Sequence, residues 1–129
     1  MEPGDVVYLD THAAVFLYAG LTDKLSPAAA AAIEKGTLKV SPMVLLEIQY
    51  LREIGRFKHR AEDVVAQLGK SIGLTVCQTD FARIALVATR MEWTRDPFDR
   101  LITAQASCQQ APLVTADGNI RDHYELAIW

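Results

Sequence analysis

The chain has 129 residues, half of them hydrophobic and 22% charged, with a formal net charge of −3. That length fits one domain with a real core, and the composition excludes disordered and fibrous classes. The acidic balance also argues against broad basic coverage of nucleic acid, while leaving room for nucleic acid wherever bound cations cancel local acids.

The opening, Met1 to Asp5, has neither a basic nor an apolar segment, so no secretory signal is expected. No apolar run reaches membrane-spanning length, so no membrane association is expected. Cys77 and Cys108 lie far apart in apolar surroundings without CxxC spacing, and both read as reduced thiols of a cytoplasmic protein.

Val6-Val7-Tyr8-Leu9 predicts a strand buried on both faces, followed by a brief helix from Ala13 to Tyr18. Ser26-Pro27 caps a second helix that Gly36 stops, and Leu38 to Val40 is a second strand. Ser41-Pro42 caps a third helix ending near Gly55, and Ala61 to Ile72 is a fourth. Leu74 to Val76 is a third strand, and Asp80 opens a helix through Met91. Asp96-Pro97 opens the last helix, Leu113 to Thr115 is a fourth strand, and Ala127 to Trp129 is a candidate fifth. The alternation predicts a single α/β domain with a central, mostly parallel sheet of four to five strands and helices on both faces. Such sheets bind ligands at the carboxyl ends of strands near a topological switch point.

Acids should therefore be sought there. Asp10 directly follows the first strand and Asp117 closely follows the fourth; each also suits a turn or cap. Glu47 has Met43, Val44, Tyr50 and Leu51 as its helical neighbours, with no Lys or Arg at i±3 or i±4. A dry, unpaired glutamate there costs several kcal/mol, whereas a wide, half-exposed helix would simply solvate it. Asp99 borders Ile102, Thr103 and Ala106 in the same way. Carboxylates gathered in one cleft raise each other's pKa unless a positive charge lies between them. An all-oxygen cluster without accompanying His or Cys ligands suits Mg²⁺ or Mn²⁺, not Zn²⁺.

Four segments in order, "YLDTHA" (Tyr8 to Ala13), "SPMVLLEI" (Ser41 to Ile48), "RDPFDRLITAQA" (Arg95 to Ala106) and "LVTADGNI" (Leu113 to Ile120), resemble the PIN-domain ribonucleases, specifically VapC-type toxins of toxin–antitoxin modules. The resemblance spans nearly all of residues 1–129 and implies a single PIN-like domain, a three-layer α/β/α fold and metal-dependent hydrolysis of RNA. By it the acidic metal site falls on Asp10, Glu47, Asp99 and Asp117, with Asp10 and Asp99 as main ligands. Glu47 and Asp117 would bind through water or orient the nucleophile. Asp96 is a supporting or helix-capping residue of the same motif. Thr11 and Thr115 are expected to hydrogen-bond the acids beside them. Arg95 and Arg100 are candidate phosphate contacts, and Arg52, Arg56, Lys58, His59 and Arg60 read as a solvated helix end. His12 reads as packed at the strand-to-helix turn, with an acid or base role as the alternative, and Trp93 and Phe98 as core or interface packing, with stacking of a base as the alternative.

The resemblance also implies a cognate VapB-type antitoxin. The helix from Ser41, apolar at Leu45 and Leu46 on one side and at Val44, Ile48 and Leu51 on another, predicts a homodimer that also packs an antitoxin segment. Internal burial of that helix is the alternative. Three rival functions remain: a catalytically silent PIN-fold binding module, a phosphotransfer receiver domain and a dehalogenase-like phosphatase. A receiver needs a lysine near the last strands and the chain has none after Lys70; the phosphatase needs a second aspartate where His12 stands.

Overall fold

The computed structural model describes residues 2–129. Its centre is one fully parallel sheet of β1 (Val6–Leu9), β2 (Thr37–Val40), β3 (Thr75–Val76), β4 (Leu113–Val114) and β5 (Ala127–Ile128). The strand order is β3-β2-β1-β4-β5. Tyr8 lies opposite Lys39 on one side and Leu113 on the other, which fixes the register of the three central strands. Val7, Leu9, Leu113 and Val114 are fully buried, as strands covered on both faces must be.

The strands are joined by α1 (Thr11–Tyr18), α2 (Pro27–Lys35), α3 (Pro42–Glu53), α4 (Ala61–Ile72), α5 (Phe81–Ala88), α6 (Pro97–Cys108) and α7 (Gly118–His123). Crossovers from β1 to β3 advance in one direction, and the chain then jumps back across the sheet to β4. Right-handed connections therefore send the two sets of helices to opposite faces, giving three layers. Val44, Ile48, Val64 and Leu68 pack into the main core, while Ile84, Ala88 and Ala104 form a small second cluster between α5 and α6.

Local chemistry accounts for most boundaries. Ser26 accepts from Ala29 N at 3.0 Å and Ser41 from Met43 N at 3.1 Å, each followed by proline at the first helical position. Gly73, at φ 71°, closes α4 in the left-handed conformation that glycine adopts without strain. Several boundaries differ from expectation. α1 begins at Thr11, two residues early, because the Asp10 side chain caps it. α5 stops at Ala88, three residues short of Met91, where the backbone tightens into turns closed by Arg90 N on Val87 O and Met91 N on Ala88 O. Sequence patterning missed α7 and a short 3₁₀ turn at Thr22–Lys24. Neither is long enough to show periodicity, and α7 buries Ile120 alone.

Gly36 ends α2 with an ordinary negative φ, so its role is spatial, not conformational. An added Cβ would meet Val7 Cγ2 at 2.5 Å and Val7 Cβ at 2.9 Å, in the middle of β1. Gly36→Ala is therefore expected to lose about 1–3 kcal/mol through overpacking. Urea unfolding measures this, and a loss below about 0.5 kcal/mol would show that α2 moves aside freely.

Candidate functional site

The chain runs from β1 towards β2, while β4 lies on the other side of β1, so the switch point falls at the carboxyl ends of β1 and β4. Asp10 leaves β1 there. Its backbone N–H donates to Val114 O at 3.1 Å, and its Oδ1 accepts from Ala13 N at 2.8 Å to cap α1. Asp117 comes after β4 and caps α7, accepting from Ile120 N at 2.9 Å. Asp96 caps α6 through Phe98 N at 2.8 Å and Asp99 N at 3.3 Å. Glu47 projects from the middle of α3 and Asp99 from the first turn of α6.

All five acids line one cleft of about 140 Å³, together with Thr11, His12, Ile102 and Ile120. That space holds about four or five waters at roughly 30 Å³ each. It admits a hydrated ion and a phosphate edge. A larger, more open groove of about 400 Å³ is lined by Leu45, Gln49, Arg60, Ala61 and Glu62. Its charges are the exposed Arg60–Glu62 pair at 3.5 Å, and no carboxylates converge there. The chemistry belongs to the smaller cleft.

The electrostatics show what the cleft lacks. Burial pushes the Asp99 carboxyl up to about 7, and the charges of Asp96, Asp117, Glu47 and Asp10 add to it. Asp10 is also raised, chiefly by burial, against the opposing help of Thr115, the Ala13 N–H and His12. Burial raises Glu47 too, while the Thr11 hydroxyl, donating to Oε1 at 2.5 Å, favours its charged form. Among the described residues the one ion pair is Arg60–Glu62, so no Lys or Arg neutralises the cluster.

The donor set fits a hard divalent cation: all oxygen, crowded, and carrying negative charge that no Lys or Arg among the described residues pairs with. The positions are not yet closed around one. Among the described residues, no three His, Cys, Asp or Glu side chains form a group that would hold a metal ion as they stand. One oxygen each of Asp10, Asp117 and Asp96 is turned to a backbone N–H, and one of Glu47 to Thr11. The second oxygen of each carboxylate is what remains for ligation.

Each candidate residue can now be placed. Asp10, Glu47, Asp99 and Asp117 come together, and Asp96 joins them as a lining acid as well as a cap. Thr11 serves Glu47 across the cleft, not its neighbour Asp10; Thr115 helps Asp10 and also accepts from Asp117 N at 3.1 Å. Arg95 and Arg100 are turned onto their own loop, donating to Glu92 O and Thr94 O at 2.8 Å each. His12, expected to pack inside, is exposed at the cleft and tilted against Phe16 at 6.4 Å. It sits on the first turn of a helix that starts earlier than the pattern suggested. Phe98 packs on Tyr50 and Trp93 on His123.

A three-layer parallel α/β domain with an acidic cleft at its switch point defines the class. The PIN domain family model matches residues 7–126, and the chain belongs to that family. This sets aside the receiver and phosphatase alternatives. No curated protein shows significant similarity to the chain. Among solved structures, VapBC2 from Rickettsia felis bound to a DNA fragment from their promoter is similar at TM-score 0.66 and 20% identity, over 95% of this chain and 96% of that one. A toxin–antitoxin complex from Klebsiella pneumoniae is similar at 0.59 and 14% identity, over 95% and 96%. DNA-bound VapBC from Salmonella typhimurium is similar at 0.56 and 20% identity, over 95% and 92%.

The raised Asp99 carboxyl sets the sign of a pH response. Its folded pKa of about 7 lies above the unfolded value of about 3.9. The resulting stability is fully present below about 3.9 and is lost as pH rises through about 7. In chelator, acidification from pH 8 to 5 is therefore expected to raise the melting temperature, by no more than about 1–2 kcal/mol of stability after solvent screening. Asp99→Asn is expected to flatten the response. An equally steep response in that variant would assign it to other acids.

Proposed function

We propose that this protein is a Mg²⁺- or Mn²⁺-dependent endoribonuclease, acting in the cytoplasm as the toxin of a toxin–antitoxin pair. The observation that carries the hydrolase reading is the convergence of five acids from four elements on one cleft, with no Lys or Arg paired to them among the described residues. Membership of the PIN family supports a nuclease, and the VapBC and toxin–antitoxin structures of the same fold support the toxin role.

A bound divalent ion would supply Lewis-acid charge to a phosphodiester and a water of lowered pKa. Asp10 and Asp99 would hold it: one is fixed by β4 and by its cap, the other has its carboxyl pushed up by burial and by the acids around it. Glu47, held by Thr11, and the exposed Asp117 would orient ordered water. Asp96 keeps the start of α6 in place, and with it Asp99. The cleft is lined with acids, so the chain would grip RNA here by its backbone through the bound ion.

For partners, α3 and α5 supply the surface. Leu46, Tyr50 and Ile54 follow one another at helical spacing and are 55%, 48% and 46% exposed; Phe81 and Leu86 on α5 are 63% and 61% exposed. The internal-burial alternative holds for Val44 and Ile48 and not for this stripe. It supports a homodimer and a bound VapB-type antitoxin segment. Among the described residues no helix is long and apolar enough to cross a membrane.

Purified protein is expected to cut RNA in Mg²⁺ or Mn²⁺ and to stop in chelator. Asp10→Asn and Asp99→Asn should each lose roughly 100-fold or more of that activity with the fold intact, as loss of a direct ligand should exceed loss of a supporting group. RNA bound but uncut by the native chain would establish the silent binding module instead. Expression of the gene alone is expected to arrest growth, relieved by the immediately upstream gene whose product co-purifies. Harmless expression of a monomer with no partner would remove the toxin role and leave the nuclease.

A further inference from the structure

Beside the cleft, the loop between α5 and α6 is held more firmly than its lack of regular structure suggests. Three successive carbonyls are each taken by a side chain: Glu92 O by Arg95 Nη1 at 2.8 Å, Trp93 O by Asn119 Nδ2 at 3.2 Å, and Thr94 O by Arg100 Nε at 2.8 Å. The Thr94 hydroxyl then accepts from Asp96 N at 3.2 Å. This bracing fixes the half-buried Trp93 indole, which lies flat against the exposed His123 imidazole with centroids 5.1 Å apart and planes 3° apart. The imidazole is fixed in turn: Nδ1–H donates to Asn119 O at 2.8 Å, which leaves Nε2 as an outward acceptor in the neutral ring.

The two rings come from the segments that carry the acids. Trp93 precedes Asp96 and Asp99, and His123 ends the helix that Asp117 caps. The cleft is lined by five carboxylates, which suit a cation and the phosphate it would bind and not the flat face of a base, so the bases of a bound strand are sought beside it. A parallel stack with one ring open to solvent accepts a third flat ring on that open face, and base–aromatic stacking is how proteins hold single strands without reading sequence.

We propose that the Trp93–His123 stack is a nucleobase subsite, seating on the His123 face the base of a single-stranded RNA nucleotide that flanks the phosphate in the acidic cleft. This deepens the nuclease reading and rests on it for the phosphate. His123 is the contact, and Trp93, Asn119 and the braced loop are positioning residues that keep its ring flat and still.

The test uses the full chain and short RNA oligonucleotides carrying 2-aminopurine at successive positions. Fluorescence is read by rapid mixing in Mg²⁺ before turnover, and kcat and KM are read separately on the same strands. One position is expected to be quenched on binding. His123→Ala should abolish that quench and raise KM by roughly 5- to 100-fold with kcat little changed, while His123→Phe should restore both. An abasic residue at that position should weaken native binding as much as His123→Ala does, and the two losses should not add.

Equal KM for His123→Ala and the native chain, or additive losses, would overturn the subsite while cleavage keeps the nuclease. Base-dependent quenching without cleavage would keep the subsite and remove the nuclease. Loss of melting temperature in His123→Ala that Phe does not restore, with no quench at any position, would make the stack a folding element and overturn the proposal.

Discussion

Asp10 serves two demands with one carboxylate. One oxygen closes the N-terminus of α1 on Ala13 N, and the residue's own N–H is tied to Val114 across the switch point. The same carboxylate lines the cleft. Asp117 and Asp96 repeat the arrangement at α7 and α6, so three helices begin where one cleft needs acid. Helix N-termini carry partial positive charge and lower the cost of placing carboxylates there. Because parallel strands all end at one edge and helices start just beyond it, a fold of this kind brings its caps together. The site grows out of the fold's own connections.

What capping cannot supply is a balancing charge. Glu47 and Asp99 cap nothing and lean inward from helix flanks, and the pKa of Asp99 registers its burial first and the neighbouring acids second. Stability and function pull in opposite directions at these positions. A protein selected for stability alone would place amides there, and the retained carboxylates make sense for something positive that arrives from outside. The proposed divalent ion, or a lysine or arginine of a bound partner segment, would meet that need at the same cleft.

The surroundings divide the labour further. Buried β1 and β4 give the acids a floor, while the braced loop that leads into Asp96 and α7, capped by Asp117, hold two flat rings together. The exposed stripe on α3 begins at Leu46, next to Glu47, and its Tyr50 packs on Phe98, next to Asp99. Anything docked on that stripe lies within one helical turn of two of the acids. Occupation of the surface and access to the cleft are therefore mechanically close.

Strand alternation, proline-led caps and the four acids were all legible in the sequence, because each depends on residues within one helical turn or one strand. Glu47 stood out because its own helix offers it no cation, which spacing alone reveals. The sequence could not show that Thr11 would serve Glu47 instead of Asp10, since 36 residues separate the pair and only the packing of α1 on α3 joins them. Nor could it show that Arg95 and Arg100 would fold back onto loop carbonyls, or that Trp93 and His123, thirty positions apart, would lie parallel. α7 escaped notice because six residues carry no period, yet its cap Asp117 completes the acidic cleft and its last residue stacks on Trp93. Local chemistry determined which residues were unusual. Long-range packing decided what each of them faces, because hydrogen-bond partners and ring planes are set by the distance between elements, which the order of residues along the chain does not encode.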